Sequence, residues 1–394
     1  MAPSPRRRPM HELQDVEGYI RACYYTNWSQ YRQGKGRYVP EDYEPDLCTH
    51  IIFAFGWMNE DSSFRPYDPA DVDTPTQDGI YRRISKLKEK QPGLKIILAV
   101  GGWTFGTKPF KQMSSDVMRR EIFIKTVLKY IIEYNFDGLQ IDWEYPKGLE
   151  DRDNYIVLAQ DISNVFQSQT TGGKRRLLLS AAVSGSKSII DNGYNVLEMK
   201  KYFDFVNVMT YDYYGAWQKS TGIHSPLFSR NSAPSWEQEL NTAFSAKYWE
   251  LLGMPRYKIV IGIGSHARGW TLDHPLVNHV GASAQRPSRQ TPCLMEAGVA
   301  AFYEICEWLQ AGGTRVWEPE MMVPYMYEGD QWFGYDDEES VRIKMQWLKK
   351  QGYGGAFVWA LDMDDFRGQF HDRKYPLINT IKDELLGPAI VEEQ

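Results

Sequence analysis

The sequence predicts an α/β protein built as a (β/α)8 TIM barrel, with an α+β insertion domain between the seventh strand and the last helix/strand unit. Three observations carry this expectation. Eight short apolar runs recur along the 394 residues. Polar-edged stretches with helical spacing lie between them. Several runs are apolar almost without a break, as strands covered on both faces are. The length suits one barrel-sized domain or two smaller ones, and the alternation selects the barrel.

In order, the runs are YIRACYYTNW (19–28), THIIFAFGW (49–57), LKIILAVGGW (94–103) and FDGLQIDWE (136–144), then RLLLSAAVSG (176–185), FDFVNVMTYD (203–212), YKIVIGIGS (257–265) and YGGAFVWAL (353–361). DGIYRRISKLKEKQ, SSDVMRREIFIKTVLKYIIEYN and DRDNYIVLAQDISNVFQSQ are among the helical stretches between them. The gap before the last run is too long for one helix and is rich in Pro, Trp and Tyr. The expected layout is a disordered N-terminal tail (1–18), the first part of the barrel (19–265), the insertion (266–335), the end of the barrel (336–386) and a short C-terminal tail (387–394).

Composition narrows the function. With 24% charged residues and a net charge of −6, the chain has no field that would draw nucleic acid or an anionic membrane. No run reaches the roughly 18–20 apolar residues of a membrane span. MAPSPRRRPMHELQDVEGY has basic residues but no apolar stretch, so no secretory signal is read there, and Arg6 to Arg8 read as tail. The aromatic share is 14%, with 13 Trp and 25 Tyr. That excess suits a cleft that stacks flat, weakly polar ligands such as sugars. Cys23, Cys48, Cys293 and Cys306 lack the spacing of a zinc site; they read as buried thiols or as disulfides of a secreted protein.

The chemistry gathers at FDGLQIDWEYP. Side chains alternate along a strand, so Gln140, Asp142 and Glu144 share one face while Ile141 and Trp143 face the other way. Glu144 falls at the C-terminal end of the strand, where barrel enzymes keep their active sites. Trp103, Met209, Tyr211, Asp212 and Trp359 fall at comparable strand ends. Two carboxyls two residues apart sit ~6–7 Å apart at Cα. Such closeness raises the pKa of one of them, leaving a protonated acid beside an anion. That pair is equipment for general-acid cleavage of a glycosidic bond.

DGLQIDWEYP resembles the DGxDxDWEYP signature of the family 18 glycoside hydrolases, the chitinases and their non-catalytic lectin relatives. CYYTNWSQYR, LCTHIIFAF, LAVGGWTFGT, MTYDYYGAW and GGAFVWALDMDDF resemble the family's other strand motifs, in order, so the likeness covers roughly residues 19 to 384. EAGVAAFYEIC, VPYMY and GYDDEES look like its insertion domain. The resemblance implies a mechanism without a protein nucleophile. Glu144 would protonate the scissile oxygen while the substrate's own 2-acetamido oxygen attacks the anomeric carbon. Water would then open the oxazolinium intermediate with retention. Asp142 would orient the acetamido N–H, Tyr211 would bond its carbonyl beside Asp212, and Trp359 would form the floor. Trp28, Trp103 and Trp217 would line the groove, with Tyr24, Phe55, Met209 and Arg268 nearby. The family also implies a Cys23–Cys48 disulfide, an extracellular or lumenal life, and a monomer that needs no cofactor or metal. Chitin or chitooligosaccharides would be the partner. The ending LLGPAIVEEQ, with no Cys-rich tail, is expected to carry no separate chitin-binding module.

Three departures qualify the resemblance. Gln140 replaces the family's middle Asp. It can donate to Asp142 but cannot take its proton, so Asp142 is expected to stay anionic over a wider pH range and held against Gln140, and Glu144 to have a lower pKa than in relatives. GIGSHARGW puts His266 where relatives have a groove Tyr, while Arg268 remains. FRGQFHDRKYPLI has His371 where a Cys often pairs with the equivalent of Cys306, leaving Cys293 as a substitute partner. Asn27-Trp28-Ser29 has the form of a glycosylation sequon but lies at a strand end beside a groove Trp, where a glycan would obstruct the site. Three readings follow: a hydrolase, a lectin on the same barrel, and an impaired hydrolase that mainly transglycosylates. Retention of Glu144 favours the first.

Overall fold

A computed structural model describes residues 18–169 and 176–388. The tail expected over 1–18 lies outside it except for Gly18, as does all but the first two residues of the C-terminal tail. Each of the eight apolar runs supplies one barrel strand: Ile20–Thr26 (β1), His50–Met58 (β2), Lys95–Gly101 (β3), Gly138–Asp142 (β4), Leu178–Ser184 (β5), Phe205–Met209 (β6), Ile259–Gly264 (β7) and Gly355–Trp359 (β8). Every neighbouring pair is parallel, and β1 pairs with both β2 and β8, which closes the ring. A short antiparallel strand, Phe64–Pro66, adds to β2.

Strand alternation divides the core in two. Ala22, Tyr24, Ile52, Ala54, Ile97, Ala99, Val260 and Phe357 fill the barrel interior. Their neighbours Cys23, Ile51, Phe53, Leu98, Leu139, Ile141 and Val358 pack outward under the helices. Among the helices, Val117–Glu133 buries Phe123, Ile124, Val127 and Ile131, one face at helical spacing, and Asp116 caps its start by accepting from the Arg119 N–H. Helix Glu338–Gln351 has acids in its first turn and lysines in its last, and it stops at Gly352 in the left-handed region (φ 74°). The stretch at 78–91 forms two short helices, Ile80–Ser85 and Leu87–Lys90, rather than one.

Between β7 and β8, residues 266–334 form a separate six-stranded antiparallel sheet with helix Phe302–Gln310 alongside. Its core packs Trp270 edge-on against Trp332, which stacks on Tyr325, with Leu272 and Val323. The sheet's first strand, His266–Thr271, begins two residues after β7 ends. Between them Ser265 donates to the Ala360 carbonyl past β8. The insertion is therefore anchored at the rim.

A buried ion pair ties three segments together there. Lys344 and Asp336 are 2.5 Å apart with almost no exposure. Ser225 and Ser340 donate to the same carboxylate, and Lys344 also donates to the Ser225 carbonyl. Removing one partner of such a pair strands the other charge. Lys344→Met is therefore expected to lower stability by about 3–5 kcal/mol, read as a shift in the urea midpoint.

Candidate active site

The sequence GGW at the end of β3 shapes part of the barrel's rim. Gly101 and Gly102 both have positive φ (120° and 87°), and a Cβ on Gly101 would fall 2.0 Å from the Asp142 carbonyl oxygen. Gly102 then donates to that carbonyl at 2.8 Å. Only glycine lets the two strand ends meet this closely, and the meeting brings Trp103 and Glu144 to the same rim.

On β4 the alternation holds. Leu139 and Ile141 lie with the outer core, and Trp143 stacks outward on Phe110. Gln140 and Asp142 are buried (Asp142 is 3% exposed). Register places Gln140 beside Ala99 and Ser180, and Asp142 beside Gly101. The Gln140 amide is fully engaged elsewhere: Tyr24 donates its hydroxyl to Oε1, and Nε2 donates to Ser180 Oγ at 3.1 Å. Asn207 in turn donates to the Tyr24 hydroxyl at 3.5 Å.

This arrangement corrects one sequence expectation. Gln140 makes no hydrogen bond to Asp142 Oδ1; its Nε2 donates to Ser180 and its Oε1 accepts from Tyr24. Asp142 lies free of it. Its Oδ1 is buried with no hydrogen-bond partner among the described residues, and burial, reinforced by Glu144, pushes its pKa well above the usual carboxylate range. Burial also lifts Glu144 to about 7. Hydrogen bonds from Tyr145 and the Trp103 backbone oppose that shift, and the Asp212 charge adds to it. Two carboxyls that resist ionisation thus sit at one rim.

Asp212, just beyond β6, is the anion of the group. Burial works against its ionised form, but His266 and Arg268 outweigh it and hold its pKa well below the ordinary range. Arg268 clasps it with two hydrogen bonds, Nε to Oδ1 at 2.8 Å and Nη2 to Oδ2 at 2.7 Å. His266 Nε2 lies 2.8 Å from Oδ1. Asp212 takes left-handed backbone (φ 58°), which asparagine and aspartate tolerate better than other side chains. Tyr211 packs edge-on against Phe357 and His266.

The expected aromatics fall into two groups. Trp28, Phe55 and Trp359 form a cluster with ring centroids 5.9–6.2 Å apart, and Tyr24 lies 5.1 Å from Trp359. Met209 packs against the same interior cluster. Trp103 and Trp217 stand apart at the rim, 76% and 57% exposed, and Arg268 lies over the Trp217 ring at 5.4 Å. A groove of about 530 Å³ runs past Trp28, Trp359, Asp212, His266, Arg268 and Cys293. The carboxyl pair does not line it, and Glu144 meets it through the charge of Asp212.

Cys23 and Cys48 are bridged between adjacent strands. Cys293 and Cys306 are both unbonded, so the substitute bridge does not form: Cys293 packs by Gly36 and Tyr303 at the groove, whereas Cys306 lies near Asp364 and Asp365. His371 pairs instead with Asp365 at 3.1 Å and stacks on Phe302. Asn27 is fully buried and donates to Asp71, so the sequon is closed to a glycan.

Sequence reasoning passed over Ser180, Asn207 and His224. The first two had a signal: each is a lone polar residue at an inward position of an apolar strand. His224, which lies against Asp212 from a loop, had none.

A parallel barrel whose strand ends gather two hard-to-ionise carboxyls, an anchored aspartate and exposed indoles is the frame of a barrel enzyme or its binding relative. Residues 20–364 match the profile of Glycosyl hydrolases family 18, and the chain belongs to that family. It is 44% identical over 388 residues to a probable endochitinase of Caenorhabditis elegans, spanning 97% of this chain but 63% of that relative's length. The crystal structure of an immunomodulatory active chitinase from Trichuris suis superposes with a TM-score of 0.90 at 43% identity, covering 94% of this chain and all of the other. Human YKL-39, a pseudo-chitinase with retained chitooligosaccharide binding, superposes with a TM-score of 0.88 at 37% identity, covering 94% of this chain and all of that one. Among the described residues no helix is long and apolar enough to cross a membrane.

Proposed function

We propose that this chain is a chitinase, cleaving β-1,4-linked N-acetylglucosamine polymers by a retaining, substrate-assisted route with Glu144 as general acid and base. The observation that carries this reading is the Asp142–Glu144 pair: an acid held protonated to about pH 7 beside a buried carboxyl whose Oδ1 lacks a donor. An acetamido N–H supplies such a donor. Accepting it favours the ionised form of Asp142, and that negative charge then steadies the positive charge on the sugar while the acetamido oxygen attacks the anomeric carbon. Glu144 gives its proton to the leaving oxygen and takes one back from water when the oxazolinium opens. Tyr211 bonds the acetamido carbonyl, and Trp359 with Trp28 and Phe55 forms the stacking floor. The Cys23–Cys48 disulfide supports a secreted or lumenal location.

Incubation with chitohexaose across pH 3–8, with products followed by mass, tests the reading. Shorter products that retain the β-anomer are the expected result. Intact hexamer that nevertheless binds would instead establish a lectin, the second reading, which Gln140 favours. Products longer than the hexamer would mark transglycosylation.

Because Glu144 must carry its proton, a raised pKa extends activity upward. The rate is expected to hold through mildly acidic pH and fall about tenfold per unit above roughly pH 7. Gln140→Asp returns a negative charge beside the pair, which disfavours ionisation of its neighbours and moves that falling limb to higher pH. Superimposable pH–rate profiles for the two proteins would show that position 140 does not tune the acid.

A further inference from the structure

Sequence spacing offered no metal site, because the residues concerned come from three segments. The fold brings them together. Asp212 follows β6, His224 lies 12 residues on in the same connection, and His266 opens the insertion, 54 residues beyond Asp212. One carboxylate oxygen and one nitrogen from each ring lie within 4.8 Å of one another. His266 Nε2 is 2.8 Å and His224 Nδ1 3.3 Å from Asp212 Oδ1. Zinc bonds of about 2.0–2.1 Å in a tetrahedron separate ligand atoms by roughly 3.3 Å, so small side-chain shifts suffice.

Both rings are buried against Asp212: His224 Nδ1 accepts the Asp212 backbone N–H at 3.3 Å, and His266 Nε2 lies against its carboxylate. The outer nitrogens, His224 Nε2 and His266 Nδ1, have no hydrogen-bond partner among the described residues.

We propose that Asp212, His224 and His266 form a binding site for one divalent transition-metal ion of the zinc or copper class. Two imidazoles and a carboxylate suit those ions and not Mg2+ or Ca2+. Asp212 and His266 line the groove, which gives the ion a way in and leaves a coordination position open to solvent. On binding, Asp212 Oδ1 exchanges the Arg268 Nε–H for the ion, and His224 Nδ1 gives up the Asp212 backbone N–H. The guanidinium keeps Oδ2 and its seat over Trp217. His266 moves its proton to Nδ1, freeing Nε2. Two features weaken the site: the nearby guanidinium charge, and the absence of outer hydrogen bonds to the rings, whose loss typically lowers affinity about 10–100-fold. A dissociation constant on the order of micromolar is the expectation, well short of a structural zinc.

The test uses the metal-stripped full chain with no sugar present, so its outcome is independent of whether the protein cleaves chitin. Calorimetric titration with ZnCl2 is expected to show one equivalent bound, at least tenfold weaker in both His224→Phe and His266→Phe. Near-UV circular dichroism checks that each variant is folded. X-ray absorption on the zinc-loaded wild-type protein, which needs no variant, is expected to show two imidazole ligands. Absence of binding, affinity unchanged in the two folded variants, or fewer than two imidazoles would each overturn the proposal.

Discussion

Glu144→Gln is expected to lower turnover of chitohexaose by about 10³-fold, within the 10²–10⁴ that a positioned general acid contributes. The substitution is isosteric and takes away only the transferable proton. Glu144 is at the rim, where its carboxyl is already held neutral to about pH 7. A neutral amide therefore replaces a group that is neutral in the resting enzyme, so the groove's field and packing change little. Affinity for the hexamer is expected to stay within a few-fold, since the stacking indoles are untouched. Single-turnover cleavage and calorimetric binding together read the split. Unchanged turnover would remove Glu144 from the chemistry. Lost binding with lost turnover would assign it to holding the sugar.

Much of the barrel was legible because its strands advertise themselves. A run such as KIILAVG, buried on both faces, has no polar partner that would let it lie at a surface. The period-two rule then placed Gln140 and Asp142 inward and Trp143 outward with no structure in hand. Strand ends were equally readable, which is why Trp28, Phe55 and Trp359 could be named together before their rings were seen to cluster.

What the sequence hid was the direction of hydrogen bonds. Gln140 and Asp142 share a face, and from that alone a bond between them is the natural guess. The register decides otherwise. Ser180 stands directly across from Gln140 on β5 and takes its N–H, while Tyr24 from β1 reaches across the barrel to its oxygen. The same limit applies to His224: a loop histidine has no periodicity to place it, and only tertiary contact brings it to Asp212.

Asp142→Asn is expected to cost about 10²–10³ in kcat, the scale of losing one preorganised electrostatic contact to a transition state. The asparagine oxygen still accepts from an acetamido N–H, so substrate binding is expected to persist. Missing is the ability to become an anion as positive charge grows on the sugar. Stability separates this from a folding defect, and its sign follows from linkage. The Asp142 pKa is raised in the folded protein above its ordinary 3.8. In the unfolded chain the group ionises near that ordinary value. Wild-type stability therefore declines as pH rises from about 4 toward the folded pKa, because only the unfolded state gives up the proton. Asparagine carries no such penalty, and Oδ1 makes no hydrogen bond that its loss would break. The variant is expected to be slower yet at least as stable as wild type, with its advantage in denaturant midpoint growing from pH 4 upward. A variant less stable than wild type at neutral pH would show that Asp142 holds the rim together. A carboxyl that weakens the fold and speeds the reaction is in place for chemistry.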